Sequence, residues 1–270
     1  MKEYLKIIRP LNCLMTFVAV FVGVLVSGFS SFQPVILAGI SAFFICGGGM
    51  VINDYIDREL DKMDKPERSI PSGKISPNCA LIYSIILFAL GGLISWFVNY
   101  QVFLVGITAI IILTLYSKYF QRMFLVGNLI VSLMVGLSFI YGGLVSGNPL
   151  PTFLMALIAF FFNTGRELIK DVEDAESDSE NGIRSVAIVL GEWGGKILAI
   201  IFVLFGIIVT PIPYLINIFG NFYLSLAIIA DIIFVCTIVM ILKNGKDNKI
   251  QKLMKIGMIF GLVAFLAGAV

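Results

Sequence analysis

Apolar runs about as long as a bilayer is thick follow one another along nearly the whole chain, and no other feature restricts its fold so severely. About 20 mostly apolar residues are needed to cross the hydrocarbon of a membrane as a helix. Within lipid every backbone N–H and C=O must be satisfied inside the structure, which leaves helices for runs of this kind. Nine can be drawn, over roughly residues 12–31, 34–53, 78–99, 102–117, 124–146, 151–169, 195–218, 221–242 and 253–270. Only 13% of the residues are charged, where a soluble domain carries about 25%. The sequence therefore predicts an all-α integral membrane protein. Its basic start, MKEYLKIIRP, is shared with signal peptides, but no small-residue cleavage site follows and the first run is long, so it is read as a helix.

Charge falls on one side of this arrangement. The connections SSFQP, NYQ, SGNPLP and NIFGN contain no Lys, Arg, Asp or Glu. The N-terminus and the alternate connections carry the charge, and of 19 basic and 17 acidic residues only Asp231 falls near the middle of a run. The positive-inside rule makes the charged face cytoplasmic. This predicts a multi-pass protein of the cell membrane, its N-terminus and charged loops inside and its C-terminus outside. Asp231 is expected to pair with a neighbouring polar side chain within the bundle. The chain has no histidine, which excludes a histidine base and a His-ligated zinc. Cys13, Cys46, Cys79 and Cys236 lie in separate apolar segments without CxxC spacing and read as small core residues. No basic stripe with interleaved aromatics is present, so nucleic acid is not expected as a partner. Gly47, Gly48, Gly49, Gly91 and Gly92 point to close helix packing.

Two of the charged connections repeat each other. One reads Asp54-x-x-Asp57-x-x-x-Asp61, then Arg68-Ser69-Ile70; the other reads Asp171-x-x-Asp174-x-x-x-Asp178, then Arg184-Ser185-Val186, at an offset of 117 residues. Such a repeat implies a duplicated helical unit. Offsets of three and seven fall within about 60° on a helix, so each triplet forms a stripe if the helix continues through it. Asn53 lies beside the first stripe and Glu167 beside the second. Carboxylates gathered this way repel unless a cation joins them, and magnesium, which takes oxygen ligands together with waters and phosphates, suits the set. Arg68, Lys118, Arg122, Lys170 and Arg184 would take the remaining oxygens of a magnesium–diphosphate complex. Glu59, Asp64, Glu67, Glu173, Glu176 and Glu180 fall off the stripes and read as solvated charges.

At this length the motifs carry a resemblance. NDYIDRELDKMDKPERSIPSGKIS resembles the first signature of the UbiA superfamily of intramembrane prenyltransferases, and RELIKDVEDAESDSENGIRSVAIVLG resembles the second. The resemblance covers essentially the whole chain as one membrane-embedded domain, residues 1–270, with Asp-rich motif loops at 53–77 and 166–191. It implies nine transmembrane helices around a central cavity, in two pseudo-repeated halves, with the loops on the cytoplasmic side. It implies Mg2+-dependent transfer from a prenyl diphosphate. Asn53, Asp54, Asp57 and Asp61 would hold one magnesium and Asp171, Asp174 and Asp178 the other. Arg68 and Ser72 would lie near the diphosphate, and Arg9 and Asn12 would face the pocket from the first helix. One departure stands out: YSKYFQR places Phe120 where many members of the superfamily carry the lysine of a Tyr-x-x-x-Lys element, leaving Lys118 or Arg122 to substitute.

The superfamily prenylates aromatic acids, quinone precursors, haem, chlorophyllide and, in archaea, geranylgeranylglyceryl phosphate. Both loops are most similar to those of the archaeal branch. The expected reaction is geranylgeranyl transfer from geranylgeranyl diphosphate to the sn-2 hydroxyl of that lipid-like phosphorylated acceptor, among membrane lipids, with Arg9, Lys118 and Arg122 as candidates for a second phosphate clamp. Phe43, Phe44, Phe160, Phe161 and Phe162 precede the motifs and would offer aromatic faces, though none is assigned a role. An aromatic prenyltransferase acting on 4-hydroxybenzoate is the alternative. A divalent-cation transporter is the third reading, disfavoured because the aspartates sit at one surface and not along a midplane route.

Overall fold

A computed structural model describes residues 2–28, 31–180 and 182–269, all helix and connections without a strand among them. In chain order the helices are α1 (Lys2–Ile7), α2 (Pro10–Val26), α3 (Phe32–Ile56), α4 (Arg58–Asp64), α5 (Pro77–Trp96), α6 (Tyr100–Leu115), α7 (Val126–Val145), α8 (Leu150–Glu173), α9 (Ala175–Glu180), α10 (Val186–Val209), α11 (Ile212–Leu215), α12 (Asn221–Leu242) and α13 (Asp247–Ala269). A π turn, Tyr116–Phe120, extends α6. Eight segments are long and apolar enough to cross a membrane, and α2, at 17 residues, is a shorter apolar helix. The expected nine are thus present among the described residues, and the protein is a multi-pass membrane protein. Ile82, Ile85, Leu93, Ile208 and Phe222 are among many large apolar side chains left exposed, as lipid-facing surfaces require.

Several boundaries differ from the sequence reading: α2 ends at Val26, short of the expected 31, and α13 begins at Asp247, ahead of the expected 253. Val186–Val209 is two helical pieces joined at Gly191, whose φ 75° and ψ 161° are not helical. The long piece therefore begins just past that residue, near the expected 195, and a short piece precedes it. The motif segments 53–77 and 166–191 both open in helix, with α3 running to Ile56, α8 to Glu173, and α4 and α9 within them, while 65–76 is a turn segment. A hydropathy scan stops where charges begin, whereas the i,i+4 backbone ladder does not depend on apolar side chains.

The chain divides into two compact units. The first comprises Met1–Gln121 and Ile140–Pro149. Here α3 packs on α2, α5 and α6. Ser76 caps α5 by accepting from the Cys79 N–H at 3.2 Å, and Asn99 caps α6 by accepting from the Val102 N–H at 2.8 Å. Small residues bring the backbones together, as the glycines predict. A Cβ on Gly91 would stand 3.0 Å from the Ser41 carbonyl oxygen, and one on Gly48 2.6 Å from the Phe88 ring. Across the first of these contacts the Ser41 hydroxyl donates to Gly91 O at 2.7 Å and lies 2.8 Å from the Tyr141 hydroxyl.

The second unit comprises Arg122–Phe139 and Leu150–Val270. Here α8 packs on α10 and α13, and α12 on α13. Phe162 fits against Gly206 and stacks on Phe234 with centroids 3.7 Å apart, while Phe160 and Phe161 pack with Phe202. These aromatics build the helix contacts of the unit. Asp231, on α12, stands beside Thr210, and its Oδ1 is buried without a hydrogen-bond partner among the described residues.

Candidate active site

In the first unit Asp54 lies in the last turn of α3, Asp57 in a one-residue joint (φ −81°, ψ 2°), and Asp61 in α4. The joint does not break the ladder: Asp57 N–H donates to Asn53 O at 2.9 Å and Asp61 N–H to Asp57 O at 2.8 Å. The three side chains therefore stay on one face, and all are buried, with 6%, 4% and 4% exposure.

Two arginines reach this face from different segments. Arg68 donates from Nη1 to both Asp61 oxygens at 2.8 and 2.6 Å and stands 3.5 Å from Asp54 Oδ1. Burial opposes its charge, but the hydrogen bond to Asp61 and the charges of Asp54, Asp61 and Asp57 outweigh that and hold its pKa above the usual arginine value. Arg9 donates from Nη2 to Asp54 Oδ1 at 2.6 Å. It does so from a left-handed backbone, φ 50° and ψ 68°, immediately before Pro10, a conformation that is disfavoured for a residue with a Cβ. Strain of this kind persists where the surroundings impose it. Here Ile7 and Ile8 are buried with Val51, Ile70 and Ile75, and Ser69 donates to Glu3 at 2.9 Å, so α1 and the 65–76 segment are fastened together around Arg9. Gly73, at φ 74°, permits the turn in that segment.

Asp57 has a different environment. Its Oδ2 accepts from Asn53 Nδ2 at 3.1 Å and from Gln121 Nε2 at 2.7 Å, and Asn53 Nδ2 also donates to Gln121 Oε1. Gln121 escaped the sequence reading, which looked for a charge at this position. Lys118 instead lies over the ring of Tyr119, 4.9 Å from its centroid, and Arg122 is exposed in the second unit. Ser72 and Asn12 are exposed, and among the described residues neither bonds a carboxylate.

The second unit repeats the construction. Asp171 lies in the last turn of α8, Asp174 occupies a one-residue joint and Asp178 lies in α9, with Asp174 N–H donating to Lys170 O and Asp178 N–H to Asp174 O, both at 2.9 Å. These carboxylates are half-buried. Asn128 on α7, also absent from the sequence reading, donates to Asp171 Oδ2 at 3.0 Å. Its signal was available, an amide inside the apolar run VGNLIVSLMV. Lys170 stands 3.7 Å from Asp174 at the surface, Glu167 pairs with its neighbour Arg166, and Arg184 is exposed. Glu173 is exposed, as expected of a solvated charge, and its carboxylate also accepts from Gln251 and Asn248 on α13.

Among the described residues no three His, Cys, Asp or Glu side chains are grouped as a metal site would need. In the first set the reason is visible, because Arg9 and Arg68 hold the oxygens of Asp54 and Asp61 while two amides hold Asp57. The donor chemistry still fits a hard divalent cation. Three buried carboxylates on one helical face offer hard oxygen donors of the kind such a cation takes.

The sequence matches the UbiA prenyltransferase family over residues 14–266. It is 36% identical to the digeranylgeranylglyceryl phosphate synthase of Methanothermobacter thermautotrophicus over 273 residues, covering 100% of this chain and 96% of that one. A solved structure described as giving structural and mechanistic insights into the biosynthesis of digeranylgeranylglyceryl phosphate synthase in membranes is 35% identical, with a TM-score of 0.84 over 99% of this chain and 98% of that one. A UbiA homolog from Archaeoglobus fulgidus bound to GPP and Mg2+ shares the fold at 21% identity, with a TM-score of 0.73 over 99% of both chains. With the family match spanning nearly the whole sequence and full-length relatives above 30% identity, the chain belongs to the UbiA prenyltransferase family and is a membrane prenyltransferase.

Proposed function

We propose that the protein transfers a geranylgeranyl group from geranylgeranyl diphosphate to the sn-2 hydroxyl of geranylgeranylglyceryl phosphate, with Mg2+ as its cofactor. The observation that carries the reading is the pair of carboxylate triplets, each built across a one-residue helix joint, the first of them buried against Arg9 and Arg68. Full-length likeness to relatives named digeranylgeranylglyceryl phosphate synthase, including one at 37% identity from Sulfolobus acidocaldarius, supports the choice of acceptor.

In this reading Asn53, Asp54, Asp57 and Asp61 hold one Mg2+, and Asp171, Asp174 and Asp178 a second. Bound there, Mg2+ supplies Lewis-acid neutralisation of the departing diphosphate. Arg68 spends one terminal nitrogen on Asp61, so its other N–H groups remain to donate to phosphate oxygens. Arg9 is oriented by Asp54 in the same way, and Lys170 and Arg184 add positive charge beside the second set. The donor's C1–O bond breaks with its electron pair leaving on diphosphate, and the acceptor oxygen forms the new C–O bond. The hydroxyl proton leaves to a diphosphate oxygen or to solvent, so a chain without histidine meets the requirement. The apolar helices exclude water from the allylic cation. Lys118 and Arg122 are candidates for the acceptor phosphate, and the positive-inside distribution puts the N-terminus and both Asp-rich segments on the cytoplasmic side.

The test offers purified protein labelled geranylgeranyl diphosphate and Mg2+, with geranylgeranylglyceryl phosphate and 4-hydroxybenzoate in parallel. Label in the glyceryl ether alone is expected. Label in the aromatic product overturns the acceptor, and intact donor with both acceptors overturns the transferase reading in favour of cation transport.

A further inference from the structure

We infer that Gln121 is a positioning residue for the first carboxylate set, acting as a two-handed amide that donates to Asp57 and accepts from Asn53. The inference rests on the proposed metal-binding role of that set and adds a residue to it from outside both Asp-rich motifs.

The local fold explains how an amide 64 positions from Asp57 arrives there. Tyr116–Phe120 form a π turn, closed by Gln121 N–H donating to Tyr116 O at 2.9 Å. A π turn holds one more residue than an α turn, so it is Gln121, and not Phe120, that comes to lie one turn beyond Tyr116. Insertions of this kind are found often at functional sites. The turn packs against α3, which carries Asn53. The resulting triangle is closed on all sides: Gln121 Nε2 donates to Asp57 Oδ2 at 2.7 Å, Asn53 Nδ2 donates to the same oxygen at 3.1 Å, and Asn53 Nδ2 also donates to Gln121 Oε1.

Chemistry gives the choice of residue its meaning. Asp54 and Asp61 are held by guanidinium groups, which neutralise them. Asp57 accepts from two neutral amides, which orient its carboxylate without adding charge to it. A lysine at 121 could donate to Asp57 but would accept nothing from Asn53. A methionine has nearly the length of glutamine and neither function.

The test is calorimetric titration of Mg2+ into detergent-solubilised protein saturated with an unreactive thiolodiphosphate analogue of geranylgeranyl diphosphate. Wild type, Asp57→Ala, Gln121→Met and Gln121→Lys are compared, with thermal unfolding in EDTA as the control for folding. Loss of an outer partner of a metal ligand typically weakens metal affinity about 10–100-fold, so Gln121→Met is expected to raise the Mg2+ dissociation constant by that factor. Its unfolding temperature in EDTA should stay near wild type, a combination that a merely structural glutamine would not give. If Asp57→Ala weakens binding and Gln121→Met does not, this inference is overturned and the metal reading stands. If Asp57→Ala itself binds Mg2+ as wild type does, the metal reading falls and this one with it. Gln121→Lys decides the matter should the methionine variant fail to fold: a wild-type constant there shows that donation alone suffices and refutes the two-handed role.

Discussion

Replacing Arg68 by methionine isolates the electrostatic arrangement of the first carboxylate set. Arg68 holds both oxygens of Asp61, whose side chain is only 6% exposed, while Asp54 retains Arg9 at 2.6 Å. The substitution therefore strands one buried carboxylate. Removing one partner of a fully buried pair costs about 3–5 kcal/mol. The Arg68 side chain is 27% exposed, so part of that penalty is screened, and about 2–4 kcal/mol is the working figure. For a chain of this size 1 kcal/mol moves the unfolding midpoint by about 2–4 °C, so a loss of about 6–12 °C is expected near the middle of that range. The assay is thermal unfolding in detergent with EDTA, at one scan rate for all variants. The double variant Arg68→Met/Asp61→Asn removes both charges and should recover most of the loss, because no unpaired ion is left behind. Adding Mg2+ should stabilise Arg68→Met by more than it stabilises wild type, since a metal then replaces a missing cation. An Arg68→Met midpoint within about 1 °C of wild type would refute the reasoning, as would a double variant less stable than the single one.

Further expectations test other parts of the structure. Gly91→Val should destabilise by about 1–3 kcal/mol, because even a Cβ there stands 2.6 Å from Ile45 and 3.0 Å from Ser41 O, while Gly261→Ala, with nothing within 4 Å, should be neutral or stabilising by thermal unfolding. Tyr141→Phe should cost about 1 kcal/mol by the same measure, since it removes the hydroxyl that meets Ser41 at 2.8 Å. Asn128→Leu should lower Mg2+ affinity or Mg2+-dependent turnover about 10–100-fold through the lost support of Asp171, with the helical circular-dichroism signal unchanged.

The parts of this protein written in local pattern were legible in its sequence. Hydropathy marked the apolar helices because lipid imposes a length on them. The spacing of Asp54, Asp57 and Asp61 placed three carboxylates on one face because helical periodicity runs through the joint. Helix continuation through charged residues was not legible, since hydropathy reports the side chains and not the backbone ladder; this is why α3 and α8 run on to Ile56 and Glu173. The partners of the carboxylates divide in the same way. Arg68 follows its motif closely and was named. Arg9 was named only through a resemblance, and nothing in the sequence announces its left-handed backbone. Gln121 depends on a π turn, a one-residue change of register that no side-chain pattern encodes. The amide partners of the exposed Glu173, Asn248 and Gln251, were not legible because they lie far along the chain.

The central claim is that the two carboxylate sets carry Mg2+-dependent prenyl transfer, and single-turnover transfer of labelled geranylgeranyl to geranylgeranylglyceryl phosphate tests it most directly. Wild type, Asp54→Asn and Asp171→Asn would be followed in EDTA and after Mg2+ is restored. Wild-type transfer should vanish in EDTA and return with Mg2+, while each asparagine variant stays at least about 100-fold slower at saturating Mg2+, as expected when a group that stabilises the transition state is lost. Transfer that persists in EDTA, or an asparagine variant that keeps the wild-type rate, would contradict the account.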